Sequence, residues 1–169
     1  WNLHHGEGED GKLDLPRIAK VILAAKPDLV ALQEIDNNCH RSGNVDQAAE
    51  LAKLTGMHGA FGAAMPFDGG QYGQAILSKY PLEQPKVHRL PGEGESRIAF
   101  EATVSIDGKP LRMVTVHLSY EEEQQRLKQV QSLLKALATS STPSVLAGDC
   151  NDIPKSPALK LMDEAWLAI

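Results

Sequence analysis

The chain has 169 residues, 42% of them hydrophobic and 23% charged, which is the size and balance of one globular domain with a sizeable core. Its formal net charge of -5 argues against an extended, non-specific grip on nucleic acid, which shows as a basic surface. Cys39 and Cys150 are too few and too far apart for a disulfide framework, and no apolar run approaches the roughly 20 residues of a membrane helix.

Trp1 to His4 reads as the tail of a strand that enters an acidic, glycine-rich loop, Gly6 to Gly11. Asp14 then caps a helix with Pro16 in its first turn, and Ile18, Val21, Ile22 and Ala25 recur at helical spacing until Lys26-Pro27 ends it. Asp28 to Glu34 follows as a nearly continuous apolar strand finishing in polar residues, the signature of a strand buried on both faces. A helix carrying Ala48, Leu51 and Ala52 stops at Gly56. Beyond it the pattern turns to strands: His58 to Ala64, Gly73 to Ser78, Lys86 to Leu90 and Ala99 to Ile106. Asp107-Gly108 is a strong two-residue hairpin signal joining Ala99 to Ile106 with Leu111 to Leu118. A long amphipathic helix follows, with Leu127, Val130, Leu134 and Leu137 on one stripe and acidic residues Glu121, Glu122 and Glu123 at its start, where they suit the helix dipole. Pro143 to Ala147 is a short strand, and Ser156-Pro157 opens a last helix. Strands alternating with helices, plus a hairpin, predict mixed sheets covered by helices rather than an all-parallel fold.

The strand ends carry the chemistry. Leu146-Ala147-Gly148-Asp149-Cys150-Asn151 places a carboxylate and a carboxamide together at a strand's carboxyl end, the edge where open α/β sheets bind ligands. Taken alone this is as readily a capped turn. Asn2, Glu34 and His117 also sit at predicted strand ends, and that recurrence shifts the balance toward a site. His4 and His5 with Glu7, Glu9 and Asp10 suggest a transition-metal site, but neighbours on an extended segment point to opposite faces, which favours a solvated loop.

Five motifs in this order resemble the endonuclease/exonuclease/phosphatase hydrolases: Trp1-Asn2-Leu3, Leu32-Gln33-Glu34, Tyr72-Gly73-Gln74-Ala75-Ile76-Leu77-Ser78-Lys79-Tyr80-Pro81, Thr115-Val116-His117-Leu118 and Gly148-Asp149-Cys150-Asn151. The resemblance implies an α/β fold in which two mixed β-sheets pack as a sandwich flanked by helices, a four-layer α/β/β/α arrangement. It implies that Glu34 is the main ligand of Mg²⁺ or Mn²⁺, with Asn2 beside it as an oxygen ligand or through a water, since hard oxygen donors suit these ions. Asp149 would orient and help deprotonate a water, Asn151 would donate to the scissile phosphate, and His117 would contact phosphate or supply a proton. Arg97 would bring positive charge to a phosphate or pair with an acid of Glu93 to Ser96, and Tyr72 would line the pocket or pack beside Gly69-Gly70.

Two departures from the family pattern stand out. Gln74 occupies a position where many relatives carry asparagine. The relatives' closing Asp-His pair is missing, because the chain ends Trp166-Leu167-Ala168-Ile169, and it opens at Trp1 inside the first strand. On that comparison residues 1–169 are expected to form a single, incomplete domain of this type, without the start of its first strand and without the Asp-His segment. The implied activity is hydrolysis of a phosphodiester or phosphomonoester by in-line attack of water on phosphorus. Net charge favours a small or lipid-linked substrate over nucleic acid. The rival is a non-catalytic module that keeps the fold and binds phosphate groups or a partner. Relatives with the same Trp-Asn-Leu-His-His-Gly opening allow a secreted or periplasmic location.

Overall fold

The computed structural model describes residues 1–166; the end of the chain at residues 167–169, noted above for its missing Asp-His pair, lies outside them. Helix α1 (Leu15–Ala25) starts where the Asp14 carboxylate accepts the Arg17 N–H at 2.9 Å, and it ends at Lys26 in the left-handed conformation. Ile18, Ala19 and Ile22 are buried, while Val21, expected on the same face, is exposed. At 100° per residue Val21 lies roughly 100° off the line through the other three, too far round to reach the core. Helix α2 (Gln47–Thr55) is capped by Asp46 and stopped by Gly56, and helix α4 (Pro157–Ala165) is capped by Ser156. In α3 (Glu123–Leu137) Val130, Leu133 and Leu137 form the buried stripe.

Strands β1 (Leu29–Asn37), β2 (His58–Phe67) and β3 (Gly70–Ser78) form an antiparallel sheet in the order β1-β3-β2. Trp1 to Leu3 runs parallel along the other edge of β1, with Leu3 N–H donating to Gln33 O and Gln33 N–H to Trp1 O. Strands β4 (Glu83–Arg89), β5 (Ile98–Ile106), β6 (Lys109–His117) and β7 (Ser144–Asp149) form the second sheet in chain order, antiparallel except for the parallel β6–β7 pair. The Asp107-Gly108 hairpin forms as expected between β5 and β6. Asp68-Gly69 makes the equivalent turn between β2 and β3, with φ of 42° and 81°.

Each sheet is apolar on both faces. Leu3, Ile18, Ile22, Leu32, Leu51 and Leu77 join α1 and α2 to the outer face of the first sheet. Val114, Val116, Leu118, Val130 and Leu133 do the same for α3 on the second, with Met162 from α4. Ala31, Ile76, Ile98, Phe100 and Met113 fill the space between the sheets. The result is the four-layer α/β/β/α sandwich that the motifs imply. Phe100 is fully buried because Gly62 leaves room for its ring: a Cβ on Gly62 would stand 2.5 Å from Phe100 Cγ.

A polar chain also crosses this apolar layer. Gln33 Nε2 donates to Thr115 Oγ1 at 2.8 Å, Thr115 Oγ1 donates to Gln74 Oε1 at 2.9 Å, and Gln74 Nε2 donates to Ile98 O at 2.8 Å. Gln74, the residue that departs from the family pattern, is thus an inter-sheet tie. Buried amides that are bonded in this way fix the register of the two sheets against each other.

Candidate active site

The topology brings the polar strand ends to one edge. Because β6 and β7 are parallel, His117 and Asp149 fall opposite each other in the ladder. Trp1 to Leu3 runs parallel to β1 and sets Asn2 beside Gln33, next to Glu34. Strands β3 and β5 run the other way, so Tyr72 and Arg97 enter from their starts. The β1 strand does not end at Glu34 as its sequence suggests; it continues to Asn37, and Glu34 occupies a bulge between Gln33, paired with Gln74, and Ile35, paired with Gly73. The bulge holds Glu34 at φ 59°, the left-handed region that non-glycine residues adopt only at a cost of about 1–2 kcal/mol. It turns the carboxylate out of the strand's alternation and toward Asn2.

One amide ties the two carboxylates together. Asn2 Nδ2 donates to Glu34 Oε1 at 2.6 Å and to Asp149 Oδ2 at 3.2 Å, a contact spanning 147 residues. The orientation of that amide is fixed, because its oxygen accepts the His4 backbone N–H at 3.0 Å. The oxygen keeps a second lone pair for a cation or a water. Asp149 Oδ1 accepts the Asn151 N–H at 2.9 Å, and Asn151 Nδ2 donates to Leu118 O at 2.9 Å. Burial raises the Asp149 pKa, but the Asn151 N–H, the Asn2 amide and the nearby His117 and Arg97 outweigh it, so the carboxyl lies below its ordinary value. Asp149 is an ionised acceptor at neutral pH.

His117 is buried with its Nε2 3.9 Å from Asp149 Oδ2, too far for a hydrogen bond. Burial lowers its pKa to about 4, helped by Arg97 and opposed by Asp149 and Glu34. The ring is therefore neutral at pH 7 and offers an N–H rather than a stored proton. Arg97 is 5% exposed; Nη2 lies 3.3 Å from Glu95 Oε2, while Nε and Nη1 have no hydrogen-bond partner among the described residues. Arg97 thus makes the ion pair to an acid of the Glu93 to Ser96 loop, and its remaining donors lie beside His117. Tyr72 lines the same small cavity as Arg97 and His117. Its ring packs 6.1 Å from Phe67, and burial together with Glu34 and Glu95 pushes its pKa up, so it keeps its proton.

Sequence reasoning missed one neighbour and misread the conformation of another. Asp36, wholly buried, holds Arg41 through bonds of 2.8 Å to Nε and 2.8 Å to Nη2, and Arg41 lies over the Phe67 ring at 4.4 Å. No local spacing signals this pair, which forms across the end of β1. The second neighbour is the His4-His5 turn. It is not an extended segment with opposed side chains but a 3₁₀ turn, His4–Gly6, in which the rings stand 4.4 Å apart.

Residues 1–168 match the model of the Endonuclease/Exonuclease/phosphatase family. The chain belongs to that family. Protein cwh43 of Schizosaccharomyces pombe is 29% identical over 150 residues, a match covering 88% of this chain and 15% of that protein. The crystal structure of an endonuclease/exonuclease/phosphatase from Beutenbergia cavernae superposes with TM-score 0.73 at 29% identity, covering 94% of this chain and 49% of that one. The human Nocturnin catalytic domain, solved with bound sulfate, superposes with TM-score 0.77 at 22% identity over 99% of this chain and 68% of its own. The chain thus spans about half of the Beutenbergia protein and a small part of cwh43. Members of the endonuclease/exonuclease/phosphatase superfamily are metal-dependent phosphoesterases and nucleases, generally using divalent cations. Among the described residues no helix is long and apolar enough to cross a membrane.

Proposed function

We propose that this protein is a metal-dependent phosphoester hydrolase, a phosphodiesterase acting by in-line attack of water on phosphorus. The observation that carries the reading is the convergence of Glu34 and Asp149 on one Asn2 amide, with the unspent Arg97 donors and neutral His117 alongside. Two carboxylates on one side and neutral or cationic donors on the other suit a phosphate that must be held while a water is aimed at it.

Glu34 and the free lone pair of Asn2 form a hard oxygen donor set that fits Mg²⁺ or Mn²⁺, which retain much of their water. When bound there, the ion would offset negative charge on the phosphoryl oxygens. Asp149, ionised and pinned by Asn151 N–H, accepts the proton of the attacking water. Arg97 and the His117 N–H hold phosphoryl oxygens, and the Tyr72 hydroxyl adds a neutral donor at the cavity wall. Asn151, its amide anchored on Leu118 O, keeps a second N–H for the same phosphate. A small or lipid-linked phosphodiester suits the net charge of -5 better than long DNA.

The test is hydrolysis of bis-p-nitrophenyl phosphate with Mg²⁺ or Mn²⁺ by the protein and its Glu34→Ala and Asp149→Ala variants. Each variant is expected to lose activity by about 10²–10⁴-fold. Unchanged rates in both would refute the assignment. Plasmid nicking compared with sphingomyelin and inositol phosphate hydrolysis then separates the substrate classes.

A further inference from the structure

The groups assigned to phosphate, Asn151 and Arg97, come from segments far apart in the chain, and among the described residues no hydrogen bond joins one to the other. What connects them is the first two turns of α3, through Gln125, Arg126 and Gln129.

Ser119, 3% exposed, lies just beyond the end of β6, and α3 meets each of its polar groups. Gln129 Oε1 accepts its N–H at 2.9 Å, Gln125 Nε2 donates to its Oγ at 3.0 Å, and Arg126 Nη1 donates to its carbonyl at 3.2 Å. The Leu118–Ser119 peptide is planar, so the N–H that Gln129 holds also sets the direction of Leu118 O. That oxygen accepts the Asn151 amide at 2.9 Å. Arg126 grips the other side of Asn151: its Nε donates to Asp152 Oδ2 at 3.0 Å, and both side chains are nearly buried. Held between these two anchors, Asn151 keeps φ 47°, a left-handed conformation that persists where the surroundings enforce it. Gln125 makes the third connection. Its Oε1 accepts the Glu93 N–H at 3.1 Å and its Nε2 donates to Glu93 O at 3.1 Å, which fixes to the same helix the loop that carries Glu95 and Arg97. Glu34 and Asn2, by contrast, are held by the first sheet, and among the described residues no hydrogen bond joins them to α3.

We propose that Gln125, Arg126 and Gln129 are positioning residues that set Asn151 and Arg97 for one phosphate, with the Arg126–Asp152 pair as the main clamp. This role rests on the hydrolase reading, which identifies Asn151 and Arg97 as the phosphate side. Each of the three acts through the group it holds. Misplacement of such a group by about 1 Å can cost about 10²-fold in rate, so the clamp matters without any contact of its own to substrate.

Inorganic phosphate is the probe, because its binding needs no turnover. Its affinity for the whole protein in Mg²⁺ is read by isothermal titration calorimetry, beside kcat/KM for bis-p-nitrophenyl phosphate and the Mg²⁺ concentration for half-activation. Arg126→Gln/Asp152→Asn removes the clamp without leaving a buried carboxylate unpaired. It is expected to weaken phosphate and lower kcat/KM by about ten-fold or more, with Mg²⁺ half-activation within about two-fold. Arg126→Lys keeps the charge but loses the two-point fork, and is expected to behave like the double variant. Gln125→Ala, which disturbs the Arg97 loop, should weaken phosphate in the same direction. In an Asn151→Ala background the double variant should cost no more than about two-fold further, because the clamp acts through Asn151. Far-UV circular dichroism and urea midpoints establish that each variant folds. Phosphate affinity unchanged in Arg126→Gln/Asp152→Asn, full retention by Arg126→Lys, or a Mg²⁺ requirement that shifts as far as phosphate affinity overturns the proposal. If phosphate affinity is unchanged while hydrolysis persists, the hydrolase reading stands without it. Weakened phosphate binding in the variants, with no phosphoester cleaved by the parent under any divalent ion, keeps the positioning role and rejects the hydrolase reading.

Discussion

Lowering the pH should destabilise this protein through His117 before its carboxylates are protonated. The imidazole has an ordinary value of 6.5 and a folded value of about 4, lowered chiefly by burial. As pH falls through 6.5 the unfolded chain takes up the proton first, so stability falls from there and levels off below about 4. The full effect is about 3 kcal/mol, of which about 2 kcal/mol is lost between pH 7 and pH 5. Asp149 works in a different window: its depressed folded pKa gives stability that is present above 3.8 and lost as pH falls further. The assay is urea unfolding at pH 7, 6 and 5, followed by tryptophan fluorescence, for the protein and for His117→Gln. The variant should lose about 2 kcal/mol less than the parent across that range. His5 is also held below its ordinary value, by burial and by Arg41 and His4, so His5→Asn is run in parallel to separate its share. If His117→Gln and the parent weaken equally from pH 7 to pH 5, the neutral, buried state assigned to His117 is wrong.

Thr115→Val removes the hydroxyl between Gln33 and Gln74 and leaves two buried amide groups unbonded, so a loss of about 2–5 kcal/mol is expected in urea unfolding, while Thr115→Ser should lose no more than about 1 kcal/mol. Arg41→Gln strips the partner from the wholly buried Asp36 and should lower stability by about 3 kcal/mol; an equal loss in an Asp36→Asn background would show that the ion pair is not the cause. Gly62→Ala drives a methyl into Phe100 and should lower the melting temperature by about 2–10 °C, a shift that Phe100→Leu in the same chain should partly reverse. Arg97→Gln should weaken inhibition by inorganic phosphate about ten-fold or more while leaving the fold unchanged, and undiminished inhibition would remove Arg97 from the phosphate site.

Much of the layer architecture was legible because local rules agreed with it. The Asp14 and Ser156 caps, the Asp107-Gly108 turn and the apolar runs of β1, β5 and β6 each carry short-range chemistry that the fold does not override. The misreadings occur where long-range contacts set the geometry. β1 runs through Glu34 to Asn37 because pairing with β3 absorbs an extra residue in a bulge, whereas the exposure of Val21 follows from helix geometry alone. The sequence around His4 and His5 reads as an extended strand, whereas Gln47, 42 residues away from His5, holds that segment in a turn.

By itself the sequence determined that His117 and Asp149 would stand at strand ends, because apolar runs that stop in a polar residue there declare their own boundaries, whereas the run that reaches Glu34 continues past it. It could not determine which ends meet. That was decided by the parallel β6–β7 pair, by the strand-like entry of Trp1 to Leu3 beside β1 and by the bulge at Glu34, which together let one Asn2 amide span two carboxylates. The physical reason is that hydrophobic patterning is local and roughly additive along the chain, whereas an active-site geometry is the joint product of sheet register, strand direction and side-chain packing between segments far apart in sequence.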